Sequence, residues 1–282
     1  MATIPVIRPS PIAGTWYSAN PDRLAAQMDE FMHTFNPPEI KGDIFGLVVP
    51  HAGHRYSGTT AGAAYRTILG KSYSLVIILS PSHHYYAAEL LSSAHSYYAT
   101  PLGKVPVHQE SLKLVREELR KEGGELDLVA EDEEHSIEIQ LPFLQCALKG
   151  DFALLPIMML SQNEHTVQRL AAALEKAYHQ FKPLVIASSD LSHFHPLEIA
   201  EKLDACMLEQ ITSGSPQNVL RAEKDGSGSA CGAGPIATTL SLAKMAGATG
   251  VEVLKHSTSA DATGDPSSVV GYGAAVIYFK PV

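Results

Sequence analysis

The 282-residue chain is 45% hydrophobic and 18% charged, which is enough apolar material for a large core. Its net charge of -9 at pH 7 argues against nucleic-acid binding, which needs a basic surface to neutralise phosphates. The longest apolar runs are about strand length, short of the ~20 residues of a bilayer span, and the N-terminus lacks the pattern of a signal peptide. A cytoplasmic protein with no membrane segment is therefore expected. Cys146, Cys206 and Cys231 are too widely spaced for a disulfide framework, which fits a reducing compartment.

Residues 8 to 18 read as a turn-rich opening that holds the only tryptophan, Trp16. Trp16 is expected to be a packing anchor, the alternative being a wall of a pocket. Asn20 and Pro21 predict a helix start, with Leu24, Met28, Phe31 and Met32 as its apolar stripe through about residue 35. An apolar run at about 44–49 predicts a strand covered on both faces. A helix from about 58 to 69 follows, and its Ala61, Gly62, Ala63 and Ala64 suggest close packing on the sheet. A second strand is predicted at about 74–79, then an edge strand or hairpin within 87–99 and a turn at Thr100-Pro101-Leu102-Gly103. The charged helix at about 109–121 is read as solvent-facing.

Glu131 to Glu138 is a dense acidic stretch that leads into a helical pattern, with Pro142 expected to kink or restart the helix. Its glutamates are read as a solvated helix cap. His135, sitting among acids, is expected to have a raised pKa. Further strands are predicted at about 152–158, 184–187, 251–255 and 273–279. Helices are predicted at about 164–179, 196–212 and 216 onward, and after the glycine-rich loop around Cys231. The alternation argues for a single α/β domain over residues 1–282, with a mostly parallel central sheet flanked by helices.

Three strands end in the same way. Pro50-His51-Ala52-Gly53-His54 follows the first, Ser80-Pro81-Ser82-His83-His84 the second, and Ser188-Ser189-Asp190-Leu191-Ser192-His193 the run at 184–187. Ligands of open α/β sheets bind outside the carboxyl ends of the strands, so three histidines delivered there predict one shared pocket. His51 and His83 are the leading ligand candidates, and His54 and His84 are candidates to steady a ligand ring through its other nitrogen. Cys231 opens a helix, where a thiol is a better ligand or nucleophile. Cys146 and Cys206 fall within helical patterns and read as small buried hydrophobes. Two chemistries compete. One is a Cys231–His193 nucleophilic pair oriented by Asp190. The other is a site for iron, copper or zinc built from two imidazoles and a thiolate, which also employs His51 and His83.

Six motifs together resemble the Memo family, known in microbes as AmmeMemoRadiSam system protein B. They are Ala13-Gly14-Thr15-Trp16-Tyr17, Pro50-His51-Ala52-Gly53, Pro81-Ser82-His83-His84, Glu134-His135-Ser136-Ile137-Glu138, Ser188-Ser189-Asp190 with His193, and Cys231-Gly232. The resemblance implies a fold like that of class III extradiol dioxygenases of the LigB type, with metal ligands on His51, His83 and Cys231. It implies acid–base or pocket roles for His193 and His135. It also implies a transition-metal cofactor (iron or copper, with zinc a third choice) and a pathway link to a radical-SAM protein. The dioxygenases use a carboxylate where this chain has Cys231, and thiolate favours softer metals. Two functions are therefore expected to compete: a metal-dependent redox enzyme acting on a small substrate, and a non-enzymatic copper-, iron- or peptide-binding protein.

Overall fold

The structure is a computed structural model that describes residues 6–281. Its strands are, in chain order, β1 (Ile7–Arg8), β2 (Ile44–Val49), β3 (Leu75–Pro81), β4 (Leu90–Ser93), β5 (Tyr97–Thr100), β6 (Gly103–Pro106), β7 (Asp127–Val129), β8 (Ala153–Met159), β9 (Leu184–Ser188), β10 (His193–His195), β11 (Gly250–Thr258) and β12 (Val269–Tyr278). The central strands run β2-β9-β3-β8 and are all parallel. Every residue of β2, β3 and β9 is buried, as their unbroken apolar runs require of strands covered on both faces. Beyond β2 the antiparallel β12 continues the sheet and pairs in turn with β10 and β11. Beyond β8 come β4, antiparallel, and β7. The result is a single α/β domain whose mixed sheet is parallel at its centre. A separate small sheet, β1-β5-β6, ties down the N-terminal segment. Its β5–β6 hairpin, with β4, accounts for the irregular 87–99 stretch.

Most helices lie where the periodicity predicts them. Helix Pro21–Thr34 starts on Asn20, whose Oδ1 accepts from Arg23 N at 2.9 Å. The restart at Pro142 is real: a short helix His135–Glu138 is followed by Leu141–Ala147. Cys146 and Cys206 sit in helices and are partly buried. Three expectations are corrected. Helix His54–Tyr65 begins four residues early, so His54 lies in its first turn. Two of its small residues serve a neighbouring helix: a Cβ on Gly58 would stand 2.6 Å from the Phe31 ring, and one on Gly62 2.4 Å from Phe31 O. Helix Gln109–Lys121 is amphipathic, with Leu112, Val115 and Leu119 buried. Among the described residues no helix is long and apolar enough to cross a membrane.

The topology sets the site. β2, β9 and β3 are neighbours running the same way, so their carboxyl ends and the turns beyond them lie side by side.

Candidate metal centre

His51 follows β2 closely, and His83 follows β3. Cys231 arrives from the loop before helix Ala233–Ala246, which is drawn against the end of β9. Cys231 N donates to Asp190 O at 3.2 Å, and Gly232 N donates to Ser189 Oγ at 2.9 Å. A Cβ on Gly232 would stand 2.7 Å from Ser188 O, so glycine is what lets this loop come so close. The three side chains converge. One ligand-type atom from each of His51, His83 and Cys231 lies within 4.8 Å of the other two, and Cys231 Sγ is 3.3 Å from His51 Nε2.

Hydrogen bonds behind the rings dictate which nitrogen faces inward. Ser188 Oγ donates to Ser136 O at 2.7 Å and accepts from Gln140 Nε2 at 2.9 Å. Its proton is therefore spent, and it must accept from His51 Nδ1 at 3.1 Å. His51 is thus held with a bare Nε2 turned to the sulfur. Tyr65 steadies Gln140 in turn, donating to its Oε1 at 2.9 Å. Glu134 does the same for His83: its Oε2 accepts from His83 N at 2.6 Å and its Oε1 from His83 Nδ1 at 2.9 Å. That leaves His83 Nε2 free. Histidine ligands of metals are usually oriented in this way by a carboxylate or hydroxyl on the far nitrogen. His83, Glu134 and His135 also form a close group. Since Glu134 engages the Nδ1 side of His83, we read Glu134 in that group as the residue that orients His83 in this centre.

The electrostatics suit a cation. Burial, reinforced by the neighbouring His83, pushes the His51 pKa down to about 3, so its ring is neutral and able to ligate. Burial also opposes charge on His83, but the hydrogen bond and charge of Glu134 outweigh it and hold His83 above its ordinary value. Burial works against the Glu134 carboxylate as well, yet His83 and then His135 keep it far below the usual carboxylate range. The Cys231 thiol is pushed up by burial and by Asp190, against the expectation of a lowered value at a helix start. Helix-end amides near Cys231 are already committed: Gly234 N donates to Gln162 Oε1 at 2.7 Å. A bound cation would offset this burial and help the thiol ionise. The donor set of a bare His51 nitrogen, a His83 Nε2 whose proton a metal ion would replace, and one thiol therefore fits a transition-metal ion.

A cavity of about 630 Å³ stands over the histidines, lined by His51, His83, His135 and His193 together with aromatic residues. The His193 ring bonds its own turn, Nδ1 donating to Leu191 O at 2.9 Å. The imidazole beside the sulfur is His51, and the Asp190 carboxylate accepts from His51 N at 2.7 Å and Ala52 N at 3.2 Å. Among the described residues no hydrogen bond joins Cys231 to His193, as the Cys231–His193–Asp190 alternative would need. His135 lies in the cavity wall, 4.5 Å from His83 between ring centroids, but the expected raised pKa is reversed: burial and His51 push it down to about 3. Trp16 is a pocket wall rather than a packing anchor. It is 36% exposed, and its ring centroid lies 4.2 Å from that of His135.

His54 and His84 do not steady the ligand rings. His54 donates from Nε2 to Ile139 O at 3.0 Å, and His84 is exposed. The residues that do, Ser188, Gln140 and Glu134, escape the sequence reading. Glu134 stands in the acidic stretch read as a solvated cap, yet it is 2% exposed, and Glu138 is wholly buried. Phe194 at the cavity rim was also missed. It is 77% exposed and carries a left-handed backbone, φ 60°.

Comparison with known proteins identifies the family. The model of the Memo-like protein family matches residues 8–276. A MEMO1 family protein of Methanobrevibacter smithii is 35% identical, over 96% of this chain and 99% of that one. One from Sulfolobus acidocaldarius is 37% identical over 95% and 98%, and one from Methanococcoides burtonii 36% over 96% and 100%. Similarity of this degree over nearly the full length of each chain, with the histidine turns and the Cys231 loop folded into one site, means that the chain belongs to the Memo family.

Proposed function

We propose that the protein binds one transition-metal ion through His51 Nε2, His83 Nε2 and Cys231 Sγ and performs redox chemistry on a small organic molecule in the adjoining cavity. The observation that carries this reading is the enforced inward turn of both imidazoles, whose far nitrogens are committed to Ser188 and Glu134 beside the Cys231 sulfur. Iron or copper suits the mixed nitrogen and thiolate set best, with zinc third. Such an ion would supply redox change and Lewis acidity at an open position. With Nδ1 committed to Leu191 O, His193 has Nε2 as its basic nitrogen, the group to take or return a proton. His135, neutral in its buried setting, lies against Trp16, and the two rings would together orient a ligand in the cavity that they line.

The softness of the Cys231 donor favours one second reading, a copper(I)-holding protein without turnover. Protein purified without a metal-affinity tag and reconstituted anaerobically tests both. The expected result is one ion per chain, lost or weakened in Cys231→Ser and His51→Ala, with oxygen consumption on a suitable substrate. Unchanged stoichiometry and affinity in those two variants would refute the centre. Tight copper(I) binding with no oxygen consumption would select the second reading.

A further inference from the structure

We propose that Arg8, on the far side of Glu134 from the centre, is a positioning residue for His83; the proposal rests on the metal reading above. Arg8 is fully buried on β1. Its Nη2 donates to Glu134 O at 2.7 Å, its Nε lies 2.8 Å from Asp132 Oδ2, and its Nη1 pairs with Glu138. Asp132 Oδ1 in turn accepts from Glu134 N at 3.0 Å. One buried ion pair thus grips both backbone polar groups of Glu134, while the carboxylate of the same residue grips His83 at two points. The Arg8 guanidinium also sits over the Tyr98 ring at 4.7 Å, and Tyr98 OH donates to Asp132 Oδ2 at 2.7 Å. A buried ion pair seldom adds net stability over an apolar replacement, so its use here is to fix a geometry. The geometry it fixes is the direction in which His83 presents Nε2.

The test uses the full chain with cobalt(II) alone as probe, because sulfur-to-cobalt charge transfer and d–d bands report the ligand geometry. Arg8→Lys and Asp132→Asn should bind cobalt(II) about tenfold or more weakly with displaced d–d bands, since outer partners of ligands typically govern affinity at this scale. Arg169→Met, which breaks a different ion pair to Glu89, should lower the melting temperature and leave both readouts unchanged. In metal-free protein the same two variants should shift the His83 Nδ1–H resonance. Folded variants with wild-type affinity, bands and His83 resonance overturn the proposal. An unchanged chain that binds no cobalt(II) refutes the metal reading instead, and the His83 resonance still decides the role of Arg8. If neither variant folds, the unchanged chain decides: zinc(II) should move the Arg8 Nε–H resonance and leave that of Arg169 in place. A still Arg8 resonance overturns the proposal.

Discussion

Glu134→Gln tests the centre at the bond that orients His83. The native carboxylate accepts from His83 N, His83 Nδ1 and Ser136 N, and it is almost wholly buried. Glutamine keeps the shape but has one oxygen and one amide NH₂, so it must set a donor against either His83 N or His83 Nδ1. The loss of one bond to a charged group costs about 1.5–3 kcal/mol of stability. Removing an outer partner of a metal ligand typically costs about 10–100-fold in affinity, or about 1.4–2.8 kcal/mol. The pH dependence has a definite sign. The His83 pKa is raised, so its stabilisation of the metal-free fold is complete below 6.5 and is lost as pH rises through the raised value. The Glu134 pKa is depressed, so its share is present above 4.5 and is lost as pH falls through the depressed value. The variant should therefore fall furthest behind the native chain between pH 4.5 and 6.5. Thermal melts of metal-free protein across pH, with chelator competition for affinity, measure both effects. A stability gap that is flat with pH, together with unchanged affinity, would refute the orienting role.

Metal affinity should rise about tenfold per pH unit around neutrality as the Cys231 thiol gives up its proton, and a flat profile would remove the thiolate from the ligand set. His193→Ala and His135→Ala should keep their metal and lose turnover or ligand binding. Loss of metal from folded His193→Ala, measured by elemental analysis, would make His193 a fourth ligand. Gly271→Ala would place a methyl 1.9 Å from Asp204 Oδ2, the carboxylate that accepts from Ser192 N beside His193. It should cost about 1–3 kcal/mol by overpacking, and an unchanged melting temperature would contradict the close approach.

The strands were legible because β2, β3 and β9 are buried on both faces, and continuous apolar runs mark that condition directly. The convergence of His51, His83 and Cys231 was legible because each stands just past a strand end or opens a helix. What supports them was not. Asp132, Glu134 and Glu138 look like surface charge in the one-dimensional pattern. They are buried because Arg8 meets them from more than 120 positions away, and no local pattern encodes that partner. His135 went wrong in the same direction: counting acids nearby in sequence favours a proton, whereas in space burial and His51 outweigh Glu134. The early start of helix His54–Tyr65 was missed because Gly53, its N-cap residue, has no side chain to signal it.

His51 and Cys231 are 180 positions apart in the chain, and their side chains meet beyond the carboxyl ends of β2 and β9. An ion shared between them would act as a reversible staple across the whole polypeptide, not across one loop. Global unfolding would then break the site and release the ion. At a free ion concentration 100 times the dissociation constant, the native state would gain about 2.7 kcal/mol. Amides that exchange only through complete unfolding would slow about a hundredfold, while those opened by local fraying would not. In a cell that degrades unfolded chains, the amount of this protein would then follow the supply of its metal.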